Sequence, residues 1–197
     1  VCSSDLSDSD FTWDGFLQAN NNELVATFGN LAHRVLTLTT RNFDDAVPEP
    51  GELGPDENAA LEACDTALKE AGEHLAGRRF REGLRSFMAL AQHGNRYIDT
   101  RAPWKQVKED RDGAATTLWT ALNIIETLRT ISYPYLPHSS QTLHELLGHE
   151  GDVLESGWQR HTPEVGTALP TPTPMFQKLD DSIVEEEADR LAAASAR

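Results

Sequence analysis

The chain has 197 residues, 39% of them hydrophobic, which suffices for one folded domain with a core and excludes an intrinsically disordered chain. The formal net charge is −15, and an acidic balance taken alone argues against a nucleic-acid partner. No apolar run approaches the ~18 residues of a membrane span, and the first ten residues lack the basic start and apolar centre of a signal peptide. The sequence therefore predicts a cytoplasmic protein with no membrane partner. Two isolated cysteines, Cys2 and Cys64, support neither a disulfide framework nor a zinc site.

The charge is unevenly distributed along the chain. Between Arg78 and Arg111, nine Arg or Lys stand against four Asp or Glu, so this segment is locally basic. Residues 1–9 follow no helical or strand pattern, and we expect them to be disordered or non-native. Helical periodicity then predicts a helix bundle over residues 10–150, followed over residues 151–197 by a loop and an acidic helix that pack back on the bundle.

The first long helix is predicted at about residues 22–42, from an apolar stripe with alternating spacings of four and three. The members of this stripe are Leu24, Phe28, Leu31, Val35 and Leu38. Asn30 and Arg34 begin a neighbouring stripe of hydrogen-bond donors that contains no acid. This stripe is either a solvated flank or a surface that faces a ligand. Gly29 costs about 1 kcal/mol of helix stability relative to Ala, which predicts a close approach there by another element or by a ligand.

Two further long helices are predicted at about residues 57–76 and 79–102. The later one has an arginine-rich flank formed by Arg78, Arg81, Arg85 and Arg96. This flank either contacts phosphates or is a solvated row paired with acids of the preceding helix. Asn95 projects among apolar positions, with Asp99 one turn further on. Because a buried polar side chain must find partners, Asn95 is either a core residue satisfied by backbone or part of a polar notch.

The stretch from Asn95 to Trp104 ends this helix at a corner. Pro103 disfavours the α region for the residue before it and suits the first turn of a new helix, so Trp104 should lie between two helices. Such a Trp is either wedged into the core or held ready for stacking. Helices at about residues 114–132, 139–147 and 175–191 complete a predicted all-α, antiparallel bundle of five to six helices.

No catalytic motif is recognisable in the sequence. His144 and His149 are five residues apart, whereas two zinc ligands on one helix face require a spacing of four. The sequence contains no phosphate-binding glycine loop, no dinucleotide fingerprint and no nucleophile elbow. We therefore expect no catalytic and no metal-ligating residues in this chain.

Four segments, in the same order and at matching spacing, resemble the C-terminal anticodon-binding domain of the methionyl-tRNA synthetase family. They are FGNLAHR at 28–34, MALAQHGNRYIDTRAPW at 88–104, YPYLPHSSQTLHELLG at 133–148 and PTPMFQKLDD at 172–181. The resemblance implies an anticodon-binding bundle of the class I synthetase type, whose partner is the anticodon loop of methionine tRNA. The implied site has three anticodon-binding residues and a supporting shell of three, which are Asn30, Arg34 and Trp104, and Asn95, Asp99 and Arg96.

The resemblance also has consequences for chemistry. The family's N-terminal Rossmann catalytic domain, which uses ATP with magnesium, has no counterpart among the motifs of this sequence. We therefore expect a non-catalytic C-terminal part of a methionine–tRNA ligase, without a cofactor of its own. Two alternatives stay open: the anticodon domain of a related synthetase for Leu, Ile, Val or Cys, and a helical protein-interaction scaffold, which the charge of −15 favours.

Overall fold

The structure is a computed structural model that describes residues 11–195, with side chains described as far as Leu191. The expectation that residues 1–9 are disordered or non-native concerns a segment outside the described residues. In the described part of the chain, six of the α-helices have ten or more residues. The helices are α1 (Trp13–Gln18), α2 (Asn30–Asn42), α3 (Pro55–Ala76), α4 (Phe80–Arg101), α5 (Pro103–Glu109), α6 (Arg111–Ser132), α7 (Pro137–Leu146) and α8 (Ser182–Ser195).

The predicted all-α fold is confirmed. The one β-type pairing within residues 11–195 is an isolated bridge between Ala46 and Ala168. A 3-10 turn covers Val153–Ser156. None of the helices in the described range combines the length and hydropathy that a membrane span requires.

The segment Ala19–Gly29 joins α1 to α2 as a π-helical stretch, so no break separates the two helices. Three asparagines, Asn20, Asn21 and Asn22, lie in this stretch. In the structure two of them bind another part of the chain: Asn20 Nδ2 donates to the Gln177 carbonyl at 3.0 Å, and Asn21 Nδ2 donates to the Leu179 carbonyl at 2.9 Å. Asn21 Oδ1 also accepts from Leu179 N at 2.9 Å, so this residue pairs with the distant backbone from both ends of its amide.

Two predicted helix starts were wrong. Helix α6 begins at Arg111 rather than after Gly113, because Asp110 caps it by accepting a hydrogen bond from Gly113 N at 2.9 Å. Helix α7 begins at Pro137 rather than at residue 139, and Ser140 lies inside it, where it is buried and donates to the carbonyl of Arg129.

The predicted start of the last helix was also wrong. It begins at Ser182 and not near Met175; Met175 and Phe176 pack against the core in a non-helical bend that precedes it. Helix α8 contacts α1, and together with the asparagine contacts this ties the C-terminal part of the chain to its beginning. The division into a bundle over residues 10–150 and a following segment over residues 151–197 stays a prediction.

Helix α6 is the centre of the bundle. It packs against α2, α3, α4, α5 and α7, and nearly all of its residues are buried. The close approach of α2 and α4 depends on Gly94, where a Cβ would lie 2.6 Å from Leu31 Cδ2 and 3.0 Å from Ile124 Cγ2. This contact brings the C-terminal half of α4 against α2 and so positions the residues of the predicted site.

A buried charge network links α6 to α7 and to the loop that follows. Arg129 and Glu126 are both almost fully buried, and Arg129 Nε lies 3.2 Å from Glu126 Oε2. Glu126 Oε1 is 2.6 Å from His149 Nε2, and Arg129 Nη1 donates to His144 Nδ1. Because Nδ1 accepts from a guanidinium, His144 is held neutral, with Nε2 directed at the Glu150 carbonyl at 3.2 Å.

We predict that Glu126→Gln lowers the free energy of unfolding by roughly 3–5 kcal/mol, because it leaves the buried Arg129 charge uncompensated. The matched control is Glu82→Gln. Glu82 pairs with Arg85 at the same i,i+3 spacing, also with the acid before the arginine, but both side chains are more exposed. That control should cost under about 1 kcal/mol. Urea denaturation followed by circular dichroism measures both, and equal losses for the two variants would contradict the prediction.

We also predict that stability falls with acidification through His144. Burial lowers the pKa of His144 below its ordinary value of about 6.5, and the neighbouring Arg129 and His149 act in the same direction. The unfolded chain therefore binds this proton more tightly, so the free energy of unfolding should decline as the pH drops below about 6.5. His144→Gln should show a shallower pH dependence between pH 7.5 and 5.5, by denaturant titration at each pH, whereas exposed His138→Gln should keep the wild-type slope.

Candidate functional site

The polar side chains in the last two turns of α4 contact two different parts of the chain. Asn95 contacts the π-helical stretch, and Asp99, four residues further on, contacts α2. Tyr97 and Arg101, also four residues apart, contact α3. A spacing of four residues places side chains on one face of a helix, and a shift of two residues moves them to the opposite side. One short sequence therefore fixes α4 against two of the elements that surround it.

The side-chain amide of Asn95 donates hydrogen bonds to two backbone carbonyls. Its Nδ2 donates to the Thr27 carbonyl at 3.0 Å and to the Ala91 carbonyl at 3.0 Å. Thr27 lies in the π-helical stretch, three residues before Asn30, so the contact sets the position where α2 begins. Of the two interpretations of Asn95, satisfaction by backbone agrees with the geometry, and the donors of this amide are already in use.

Tyr97 and Arg101 converge on one buried carboxylate. Glu57 is 2% exposed, and its Oε1 accepts from Tyr97 Oη at 3.0 Å and lies 3.1 Å from Arg101 Nη2. Its Oε2 accepts from Gly54 N at 3.1 Å at the start of α3. Burial raises the pKa of Tyr97, and the negative charge of Glu57 adds to this, so the phenol remains a donor. These bonds tie the end of α4 to the beginning of α3.

The predicted corner between two helices is confirmed. Ala102 adopts the left-handed conformation, with φ 49° and ψ 58°, and its N–H donates to the Ile98 carbonyl at 2.9 Å. Pro103 then occupies the first turn of α5 and is buried. A left-handed alanine costs about 1–2 kcal/mol, and the bonds that fix the end of α4 hold it in place. The corner directs Trp104 to the surface beside α2.

Trp104, Arg34 and Asp99 form one contact group, which we call the Trp104 cluster. The guanidinium carbon of Arg34 lies 5.3 Å from the centroid of the Trp104 ring, and Arg34 Nη2 lies 2.8 Å from Asp99 Oδ1. Trp104 is 36% exposed, so it is neither a core wedge nor a free surface ring. The carboxylate neutralises the guanidinium, and the indole supplies a partly solvated aromatic face.

Asn30 lies one turn before Arg34 but on a separate groove. That groove has a volume of about 380 Å³ and runs between the junction of the π-helical stretch with α2 and the non-helical segment that contains Phe176. Asn30 is exposed, and its side chain makes no hydrogen bond with any described residue. The structure therefore places Asn30 beside the Trp104 cluster along α2 without joining it to the cluster.

Arg96 turns away from the Trp104 cluster. It is exposed and lines a groove between α3 and α4 together with His93, because one step along α4 from Asn95 rotates the side chain by about 100° towards α3. The arginine flank predicted on α4 is thus divided: Arg81 and Arg85 line a different groove beside Thr27, and Arg85 pairs with Glu82 of its own helix.

Sequence reasoning missed Phe176 as a neighbour of this region. A Cβ on Gly29 would lie 2.9 Å from Phe176 Cδ2, which confirms the predicted close approach at this glycine and identifies the approaching element. His33, to which the sequence assigned no role, lines the same groove. The glycine was the available signal, but it could not tell which of the distant aromatic residues would pack there.

The described residues contain no group of three or more His, Cys, Asp or Glu side chains arranged to hold a metal ion. The pair His144 and His149, considered in the sequence, stacks ring on ring at 4.8 Å within the buried charge network. Neither ring is arranged as part of a metal site, and both are held by protein partners.

Two family models match the chain. One, described as the anticodon binding domain of methionyl tRNA ligase, covers residues 47–196. The chain belongs to this family. The other, described as tRNA synthetases class I (M), covers residues 2–36. Within the Trp104 cluster, Arg34 therefore comes from the class I match, whereas Asp99 and Trp104 come from the anticodon-binding match.

Named relatives and solved structures agree with this assignment to the family. The chain is 41% identical to a methionine–tRNA ligase of Thermomicrobium roseum and 45% identical to one of Dehalococcoides mccartyi, covering 95% and 94% of this chain but 37% and 34% of the relatives. It spans about a third of the length of these relatives. The apo methionyl-tRNA synthetase of Mycobacterium tuberculosis has a TM-score of 0.82 at 25% identity, over 88% of this chain and 36% of that one. A methionyl-adenylate-bound structure of the same enzyme has a TM-score of 0.79 at 26% identity, over 85% and 34%.

Proposed function

We propose that this chain binds the anticodon loop of methionine tRNA and serves as the C-terminal part of a methionine–tRNA ligase. In that enzyme an N-terminal catalytic domain would use ATP with magnesium to attach methionine, and the present chain would contribute RNA recognition without catalysis and without a cofactor. The cytoplasmic location expected from the sequence belongs to the same proposal. The observation that carries the proposal is the Trp104 cluster, one helical turn from Asn30.

The chemistry of the cluster suits an unpaired base. Single-stranded RNA loops are recognised by bases that leave the stack, lie on an aromatic or guanidinium plane and expose their edges to hydrogen-bonding groups. Trp104 offers a partly exposed indole, and Arg34 offers a guanidinium that can donate to a base edge. Asp99 orients Arg34, and Asn95 holds the backbone carbonyl of Thr27, three residues before Asn30. In this proposal Asn30, Arg34 and Trp104 contact bases, and Asn95 and Asp99 support them.

Overall charge does not oppose this proposal, because the acidic excess is not spread evenly. The segment from Arg78 to Arg111 is locally basic, and it contains α4 and α5. We propose that exposed arginines of α4, Arg96 among them, contribute phosphate contacts rather than base contacts. Such contacts make binding dependent on salt concentration, whereas a helical protein-interaction scaffold would show no salt-dependent RNA binding. A titration of the anticodon stem-loop at two salt concentrations separates these functions.

We predict that Trp104→Ala weakens binding of a methionine-tRNA anticodon stem-loop by about 1–3 kcal/mol, the range for stacking one base. Fluorescence anisotropy with labelled RNA measures the dissociation constant. Trp158→Ala is the matched control, because Trp158 is 42% exposed and lies on a loop outside the proposed site. Equal affinities for Trp104→Ala and wild type, with unchanged helical content, would refute the stacking role.

We predict that Arg34→Ala reduces discrimination between the methionine anticodon and loops with one exchanged anticodon base. A well-placed arginine contact to a base edge is worth about 1–3 kcal/mol of selectivity. The measurement is a panel of stem-loops that differ at single anticodon positions, including anticodons for Ile, Leu, Val and Cys. A uniform loss across the panel would mean that Arg34 contacts phosphate only, and a preference for another anticodon would assign a different substrate.

A further inference from the structure

A cavity between α6, the turn after α7 and the loop over residues 161–167 lies outside the proposed RNA site. It has a volume of about 360 Å³, within the range of small-ligand sites, and it shares no lining residue with the Trp104 cluster or the groove beside Asn30. Its buried apolar walls include Val47, Leu122 and Leu147. None of its lining residues is Lys or Arg, and its ionisable residues are Glu126, His149, Glu150, His161 and Glu164.

Hydrogen bonds hold the walls of this cavity in place. Val47 N donates to the Thr167 carbonyl at 3.0 Å, and Gly166 N donates to the Val47 carbonyl at 2.9 Å. Trp119 Nε1 donates to the Pro163 carbonyl at 3.2 Å, and this bond fixes the middle of the loop to α6. The cavity is therefore bounded by segments that are tied to each other and to the central helix of the bundle.

The two histidines that line the cavity use the same ring nitrogen for contacts with the protein. His149 Nε2 lies 2.6 Å from Glu126 Oε1, and His161 Nε2 lies 3.0 Å from the Ser156 carbonyl oxygen. A carbonyl oxygen can only accept, and so can the carboxylate of Glu126, which is paired with Arg129. In both rings Nε2 therefore carries the proton and donates it, which leaves Nδ1 of the neutral ring as an acceptor.

Both Nδ1 atoms are available to a ligand. Neither makes a hydrogen bond with any described residue, and neither is among the buried polar atoms that lack a partner, so both are accessible to solvent. In His149, Nε2 is directed inward at Glu126, which is 2% exposed, so Nδ1 points away from the interior. The centroids of the His149 and His161 rings are 6.3 Å apart, so one small ligand can reach both acceptors.

The chemistry of this lining favours an organic ammonium ion. A primary ammonium has three N–H donors and no acceptor, so it can donate to two imidazole nitrogens and to one carboxylate. Glu150 and Glu164 are exposed members of the lining, and their charges attract a cation and repel an anion. A zinc site takes three or four protein ligands, and the described residues contain no group of three or more His, Cys, Asp or Glu arranged to hold a metal ion.

We propose that this cavity binds a small primary amine, with its ammonium group at the Nδ1 atoms of His149 and His161. The apolar body of the amine packs against the buried walls, which are formed by Val47, Leu122 and Leu147. The site is separate from RNA recognition, so the proposal does not depend on the proposed function. It assigns a ligand to the part of the molecule where α6, the turn after α7 and the loop over residues 161–167 meet.

The test compares three probes that share a five-carbon tail and differ in the head group, which are n-pentylamine, 1-pentanol and pentanoate. Each is titrated at pH 8 into the full chain, isotopically labelled in its histidine ring nitrogens, and NMR records the tautomer and the chemical shift of each ring. His161→Phe removes one acceptor and keeps an aromatic ring. His138→Phe is the matched control, because His138 is exposed and lines no part of the cavity. Thermal unfolding confirms that both variants fold.

Before any probe is added, we expect His149 and His161 to show the tautomer with the proton on Nε2. Pentylamine should shift the Nδ1 resonances of these two rings in a saturable manner and leave those of His33 and His138 unchanged. Pentanol and pentanoate should bind at least about tenfold more weakly, since a hydrogen bond to a charged group contributes about this factor or more. For the same reason His161→Phe should lose about tenfold or more in affinity for pentylamine, and His138→Phe should match wild type.

Four results would overturn the proposal. Equal affinities for the three probes would show that the cavity does not recognise positive charge. A proton on Nδ1 of either ring would remove an acceptor on which the site depends. Shifts of equal size at His33 and His138, or no shift at any ring, would show that the amine does not bind at His149 and His161. Equal binding of pentylamine by the two variants would remove the role of His161. If His161→Phe does not fold, the tautomers and the three probes in the wild-type chain decide the question.

Discussion

The buried carboxylate of Glu57 is the interaction on which the geometry of the site depends. An ionised carboxylate inside a protein is costly unless charged and polar donors satisfy it. Here Tyr97, Arg101 and the backbone of Gly54 supply those donors, and two of them lie at the end of α4. That end is therefore fixed before the corner at Ala102, so the direction of α5 and the position of Trp104 follow from a network that never touches Trp104 itself.

The second constraint is that the end of α4 contacts α3 on one side and the π-helical stretch and α2 on the other. Residues of its α3-facing side bind Glu57, whereas Asn95 and Asp99 on the other side reach the π-helical stretch and Arg34. This division explains why the Trp104 cluster joins residues from two parts of the chain that match different family models. The cluster forms only because α2, which contains Arg34, packs against α4 of the anticodon-binding bundle. The absence of a Cβ at Gly94 permits that packing.

The sequence predicted those structural features that depend on residues close together in the chain. The apolar stripe of α2, the corner at Pro103 and the need for close packing at Gly29 follow from helical periodicity, proline geometry and the absence of a Cβ. The remaining features depend on partners far away in the chain. The bonds from Asn21 to the backbone of Leu179 and from Arg34 to Asp99 span 158 and 65 residues, respectively. No local pattern shows them, and for the same reason the sequence could not place Asn30 in a groove beside Phe176.

A comparison of contact energies favours replacement of Arg34 by a stacked base on the Trp104 ring. A guanidinium over an aromatic ring at a partly exposed site contributes about 0.5–1 kcal/mol, whereas stacking a base on such a ring contributes about 1–3 kcal/mol. A base that displaces Arg34 from the ring therefore gains more than the cluster loses. The ion pair with Asp99, whose side chain is 62% exposed, is worth at most about 1 kcal/mol and therefore adds little to the cost of moving the guanidinium off the ring. A protein of net charge −15 can thus prepare an RNA contact without leaving an uncompensated positive charge at the site in the absence of RNA.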